Sequence, residues 1–408
     1  MIQILAGLLA WTLVVAQASP AGRGQPAPHG GCNAPADEPS IDVQVPGAPF
    51  LALPSADGCW VYVSLTRTAD APGRIALLKR AAGTLTVVRQ IEAGSPAGMV
   101  LTHDQKLLIA ASGPEVVFVD TARLTEGHAE PVLARWTDDR QVHGRVYANV
   151  TSDDRYLFVA EERARSILVF DLAAARASGL SKFRPLGRIP VGVAPIALAF
   201  SSDGRYLYST SQSMPDLGWP MECKPENAAG AASPPNHAQG AVVTIDLARA
   251  VSTPGSSVVS TVKAGCNPVR LVLSPSGDVV YVTARNSNAV LTFDRARLVT
   301  NPENAMIGSV PTGTAPVGVA VVDGGRRIVV TNSNRFGAGA AERQSLTVID
   351  AARVRDGAGA VLGSIAAGGF PRELRVTADG RTLLLTNFTS RTVQVIDLQR
   401  LPLQPATR

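Results

Sequence analysis

The sequence predicts an all-β, seven-bladed β-propeller with four antiparallel strands per blade. Three observations carry the reading: a hairpin pattern that recurs seven times, an Asp-ended apolar strand after six of the copies, and a Gly- and Pro-bearing turn leading into most of them. Self-similarity at a period of roughly 40 to 50 residues marks propellers and related repeat arrays.

The 408 residues are 46% hydrophobic, 5% aromatic and 17% charged, with 37 Gly and 29 Pro. That balance excludes a disordered chain, a coiled coil and a polytopic membrane protein. The formal charge of +5 comes from singly scattered residues rather than clusters. A nucleic-acid footprint is clustered, so no nucleic-acid partner is expected.

The first element, Ile2 to Ala16, is the one long apolar stretch, too short for a comfortable membrane span. It runs into Ala16-Gln17-Ala18, a small-x-small pattern that predicts a signal peptide over 1–18. Residues 19–40 lack apolar periodicity and are expected to be a linker, 41–401 the propeller and 402–408 a tail. The expectation is a periplasmic or secreted protein, without a membrane span once cleaved.

The hairpins follow in order: PSADGCWVYVS from Pro54, LTHDQKLLIAAS from Leu101, VTSDDRYLFVAE from Val150, FSSDGRYLYSTS from Phe200, LSPSGDVVYVTA from Leu273, VVDGGRRIVVTN from Val321 and VTADGRTLLLTN from Val376. Each joins two apolar runs through an Asp-Gly-like turn. Aligned at Asp57, Asp104, Asp153, Asp203, Ser276, Gly324 and Asp379, they step by 47, 49, 50, 73, 48 and 55 residues. The fourth step holds a Pro-, Ala- and Asn-rich insertion, Met214 to Gly240, and the sixth is stretched by Phe336 to Gln344.

The third strands end at Asp120, Asp171, Asp246, Asp294, Asp350 and Asp397, with Lys79 in the first copy. Such an Asp caps the following turn. The lead-in turns carry Gly for the reversal and Pro where no ladder donor is needed, as in Gly265-Cys266-Asn267-Pro268. The third copy substitutes His143-Gly144-Arg145. The last copy has only three strands, so Ile41-Asp42-Val43-Gln44-Val45 is expected to supply its outer strand and close the ring.

The segments VVYVTARNSNAVLTFD from Val279, IVVTNSNR from Ile328 and LLLTNFTSRTVQVID from Leu383 resemble the YVTN-type β-propeller repeat family, which overlaps the seven-bladed lactonase propellers. The resemblance covers Ile41 to Leu401. It implies the fold and raises lactone hydrolysis as an activity, but these repeats host unrelated chemistries and no catalytic motif carries over residue by residue.

Strand alternation puts the Asp-Gly turns at one end of the ring. The lead-in turns and both long insertions lie at the other end, which is the expected ligand face. The same assignment pairs Cys32 with Cys59 at the regular end and Cys223 with Cys266 at the decorated end. Side chains expected at the channel mouth are His143, Arg145, Glu161 and Arg270 as a candidate catalytic set, with Glu162 and Arg163 beside them. Arg285, Asn332, Asn334, Arg335, Arg372, Glu373, Asn387 and His237 are expected ligand contacts. An Arg-rich mouth favours an anion.

No CxxC spacing, CxxCH or phosphate-cradling loop occurs, so no metal or cofactor is expected. The leading expectation is a monomeric binding or scaffold protein for a protein, glycan or small anionic ligand. The alternatives are a lactonase-type hydrolase, with His143 or Glu161 as base and Arg145 and Arg270 holding charge, and an accessory protein for a cofactor or electron-transfer partner.

Overall fold

Seven separate four-stranded antiparallel sheets form in the computed structural model, which describes residues 32–138, 144–181, 184–217, 239–334, 344–401 and 403–404. The chain runs from inner to outer strand in the first six blades. Their inner strands are Ala48–Pro54, Met99–Leu101, Arg145–Val150, Val193–Phe200, Pro268–Leu273 and Pro316–Val322, and Pro371–Val376 serves the last blade. That blade takes its outer strand, Ser40–Gln44, from the start of the chain, antiparallel to Thr392–Asp397. The closing strand begins one residue before Ile41, where the sequence placed it.

The repeated turns have one local chemistry. The hydroxyls of Ser55, Thr102, Thr151, Ser201 and Thr377 donate to the Asp two residues on at 2.5–2.6 Å. Each Asp also accepts the backbone N–H two residues further along at 2.9–3.0 Å. The third-strand Asp residues act differently: Asp120, Asp171 and Asp246 each cap a short helix by accepting the N–H three residues on. Blade one, with Lys79 in that slot, has no helix. Its third and outer strands turn directly at Ala82 and Gly83, both at positive φ, a hairpin that Gly permits.

Sheets are buried on both faces, so second strands such as Leu107–Ser112 are covered along their whole length. Cores lie between blades: Ile109 and Phe118 of blade two pack with Leu157, Leu168 and Phe170 of blade three. Burying one such side chain contributes about 1.5–3 kcal/mol.

A hydroxyl clamp joins the inner rims. Thr283 accepts the Arg270 N–H of its own blade at 3.0 Å and donates to the Val317 carbonyl of the next at 2.8 Å. Thr210 and Ser64 repeat the arrangement, and Thr386 carries it from blade seven back to Phe50 of blade one. Blades two and three have Ala111 and Ala160 in this slot. Between them the backbones bond directly, Gly98 N–H to the Val146 carbonyl at 2.9 Å. A Cβ on Gly98 would lie 2.9 Å from the Cα of Tyr147, so only Gly allows that approach.

The leading segment is held as well as paired. Cys32 and Cys59 form a disulfide. Arg80, 2% exposed, donates to Asn33 at 3.1 Å and to Thr382 at 2.6 Å, joining the segment to blades one and seven. Arg400 donates to the carbonyls of Ala36 and Asp37. Residues 1–18, expected as a signal peptide, lie outside the described residues. Among the described residues no helix is long and apolar enough to cross a membrane.

Candidate functional site

The inner strands open toward the decorated end with a β-bulge just after the Pro position, seen as a register shift at Pro49/Leu51, Pro195/Leu198, Pro268/Leu271, Pro316/Val319 and Pro371/Leu374. A bulge breaks strict alternation. Consecutive residues Val269 and Arg270 therefore both line the cavity at the channel mouth. Phe50, Val146, Ile196, Val317 and Arg372 occupy the equivalent slot in their blades and line it too. The cavity measures about 350 Å³, within the range of small-molecule sites. Larger hollows of about 520, 730 and 900 Å³ lie at the rim and the regular end. The mouth is the stronger candidate because buried cations converge on it.

Arg270 is 5% exposed. Its Nε donates to Glu373 on the inner strand of blade seven, and its guanidinium carbon lies 4.9 Å from the ring centre of Tyr147. Nη1 is buried without a hydrogen-bond partner. Glu373 is shared: Arg375 lies 3.4 Å from its other oxygen and also bonds Tyr147. Burial opposes the charge on Arg375, but Tyr147 and Glu373 outweigh it and raise the guanidinium pKa. Two guanidinium groups thus face one carboxylate, leaving this layer of the channel positive.

Above it, Arg285 donates to Gln212 Oε1 at 3.1 Å. Arg372 lies 3.9 Å from the ring centre of Phe50 and 5.4 and 5.3 Å from those of Phe370 and Phe388, a cation among aromatic faces. Glu162, partly buried, also lines the cavity. Among the described residues no cluster of His, Cys, Asp and Glu could hold a metal.

The structure therefore brings together Arg270, Arg285, Arg372 and Glu162 of the residues singled out from sequence, with Glu373 directly behind Arg270. It places others elsewhere. Arg145 and Glu161 are both buried in an ion cluster, 3.2 Å apart, with Asp138 and Arg188 completing it and Ser166 donating to Glu161 at 2.9 Å. Trp136 covers the Arg145 guanidinium at 4.7 Å. Burial lowers the Arg145 pKa, and Glu161 and Asp138 oppose that. Neither residue lines the mouth, because Glu161 follows the slot whose side chain faces the next blade and so turns into its own sheet.

Asn332 and Asn387 do the same. Asn332 donates to Ser345 and Thr347 at 3.0 and 2.9 Å, and Asn387 to Thr392 and Gln394 at 3.1 and 3.2 Å. Asn334 sits at φ 44° beyond the second strand of blade six, and exposed Arg163 lies after Glu162, both outside the cavity lining. His143, His237 and Arg335 lie outside the described residues. Cys266 is disulfide-bonded, and its expected partner Cys223 likewise lies outside the described residues. Sequence reasoning missed Gln212 and the apolar lining. Its available signal was the slot after each lead-in Pro, filled by Phe, Ala, Ile, Val, Val and Arg in the six blades that carry one there.

No family model matches the chain, and no curated protein matches it. Solved structures match in fold. Hydrazine synthase of Kuenenia stuttgartiensis aligns at 17% identity over 87% of this chain and 97% of that one, with a TM-score of 0.60. The periplasmic gluconolactonase PpgL of Pseudomonas aeruginosa aligns at 19% identity over 79% and 86%, with a TM-score of 0.58. A chain of the Mitotic Checkpoint Complex aligns at 14% identity over 96% and 99%, with a TM-score of 0.62. Likeness at these identities establishes the propeller fold.

Proposed function

We propose that this chain is an exported binding protein that takes a small anion at the channel mouth. The observation that carries the reading is Arg270: a guanidinium almost wholly withdrawn from water, satisfied through Nε, with Nη1 buried and unpaired at the edge of a ligand-sized cavity. Leaving a buried charged donor unsatisfied is unfavourable, and an incoming carboxylate or phosphate oxygen relieves it. Arg285 and Arg372 reinforce the positive field from the same cavity. The Cys32–Cys59 disulfide supports an oxidising compartment.

Calorimetry and thermal melts with sodium hexanoate, gluconate and inorganic phosphate test this. At least one is expected to raise the melting temperature, with the effect lost in Arg285→Gln. No shift with any of the three defeats the reading.

A second reading, hydrolysis of a ring ester, is favoured by one observation: Glu162 lines the cavity beside the arginines and supplies a carboxylate where Glu161 is locked in its ion cluster. Its test is turnover of δ-gluconolactone, removed by Glu162→Gln and retained by Arg163→Gln.

A further inference from the structure

Six of the eleven residues that line the arginine-bearing cavity are apolar. Ile196, Val269 and Val317 pack into one apolar cluster with Val146 against it, and Phe50 and Phe370 supply aromatic walls. These residues belong to six different blades, so the apolar surface encircles the site rather than forming one side of it. The uncharged polar equipment is small by comparison: Gln212 already accepts from Arg285 through its Oε1.

Such a surface discriminates among anions. A polyhydroxylated acid brings several hydroxyls, each needing a partner once water is displaced. Against Val, Ile and Phe side chains those hydroxyls would be buried unsatisfied. A hydrocarbon tail loses nothing there and gains from leaving water. Only its charged end needs to meet the arginine side of the cavity.

Resting on the anion-binding reading above, we propose that the ligand class is an organic carboxylate with an apolar body, aliphatic or aromatic, rather than a sugar acid or a free phosphate. The carboxylate meets Arg270 and Arg285, and the body lies against Val269, Val317, Ile196 and Phe50.

The test is a homologous series followed by calorimetry on the full chain: sodium butyrate, hexanoate and octanoate, then benzoate, against gluconate and inorganic phosphate. Affinity is expected to rise about fourfold per added methylene until the cavity is full, corresponding to roughly 0.8 kcal/mol each. Hexanoate or benzoate is expected to bind at least about tenfold tighter than gluconate. Val269→Thr, nearly isosteric, should weaken hexanoate severalfold more than it weakens phosphate, which separates contact with the body from general loss of the site.

A flat chain-length series, or gluconate or phosphate binding tighter than hexanoate, overturns this inference while the anion reading stands. Binding of none of the probes overturns both.

Discussion

Arg270 of blade five and Glu373 of blade seven form a buried ion pair across the channel, passing over blade six, which presents Gly318 at that level. The pair fixes two non-neighbouring inner strands relative to each other and holds the Arg270 guanidinium at the cavity.

Removing one partner leaves the other buried and uncompensated. Glu373→Gln is expected to lower stability by about 3–5 kcal/mol. The double variant Arg270→Met/Glu373→Leu should recover much of that loss while abolishing anion binding. Urea unfolding of the three proteins measures it, and a single-variant change under about 1 kcal/mol would rule out a tightly coupled pair.

The hydroxyl clamp gives a second expectation. Thr283→Val keeps shape but leaves the Arg270 N–H and the Val317 carbonyl without their shared partner. The expected loss is about 1–3 kcal/mol, whereas Thr283→Ser should be close to neutral. Equal effects of the two would show that packing, not the hydroxyl, matters at this site.

Joining residues 27 apart in sequence, the Cys32–Cys59 bridge restricts the unfolded chain. The double variant Cys32→Ser/Cys59→Ser is expected to lose about 3–4 kcal/mol on the chain-entropy account. Amide exchange should accelerate first in Ser40–Gln44 and Thr392–Asp397. Uniform acceleration around the ring would contradict a local clasp.

The turn aspartates couple stability to acid pH. Burial opposes the charge on Asp104, but hydrogen bonds from Thr102, Arg176 and the Lys106 N–H outweigh it and hold the carboxyl at about 2. Asp153, chiefly through Thr151, and Asp203, chiefly through Ser201, are held low as well. A folded pKa below the unfolded value of about 3.9 stabilises fully above that value and loses the contribution as pH falls toward the folded one. Asp104→Asn should therefore reduce stability at neutral pH and flatten its decline between pH 4 and 2. Denaturant midpoints across that range check it, and parallel curves for wild type and variant would refute it.

The architecture was legible because one constraint repeats seven times: an apolar second strand, a turn that closes on its own Asp and a third strand ending in a cap. Ring closure was legible from a missing strand. The site was only partly so. Arg270, Arg285 and Arg372 could be placed at the mouth because they end or open strands at the decorated face. Glu161, Asn332 and Asn387 share that description, yet their side chains turn into their own sheets, since the residue before each faces the adjacent blade. The bulge that turns both Val269 and Arg270 toward the cavity leaves no mark in a period-two pattern, so the hydrocarbon lining went unseen.

The disulfide described at the regular end also decides how tension travels through the molecule. Ser40 lies opposite Ile396, so pulling the two ends of the chain apart would by itself peel the closing strand open one rung at a time. The covalent link from Cys32 to Cys59 diverts that load into blade one before it reaches the zipper. Under force, the reduced form would carry the pull on the leading segment directly into the rungs between Ser40–Gln44 and Thr392–Asp397.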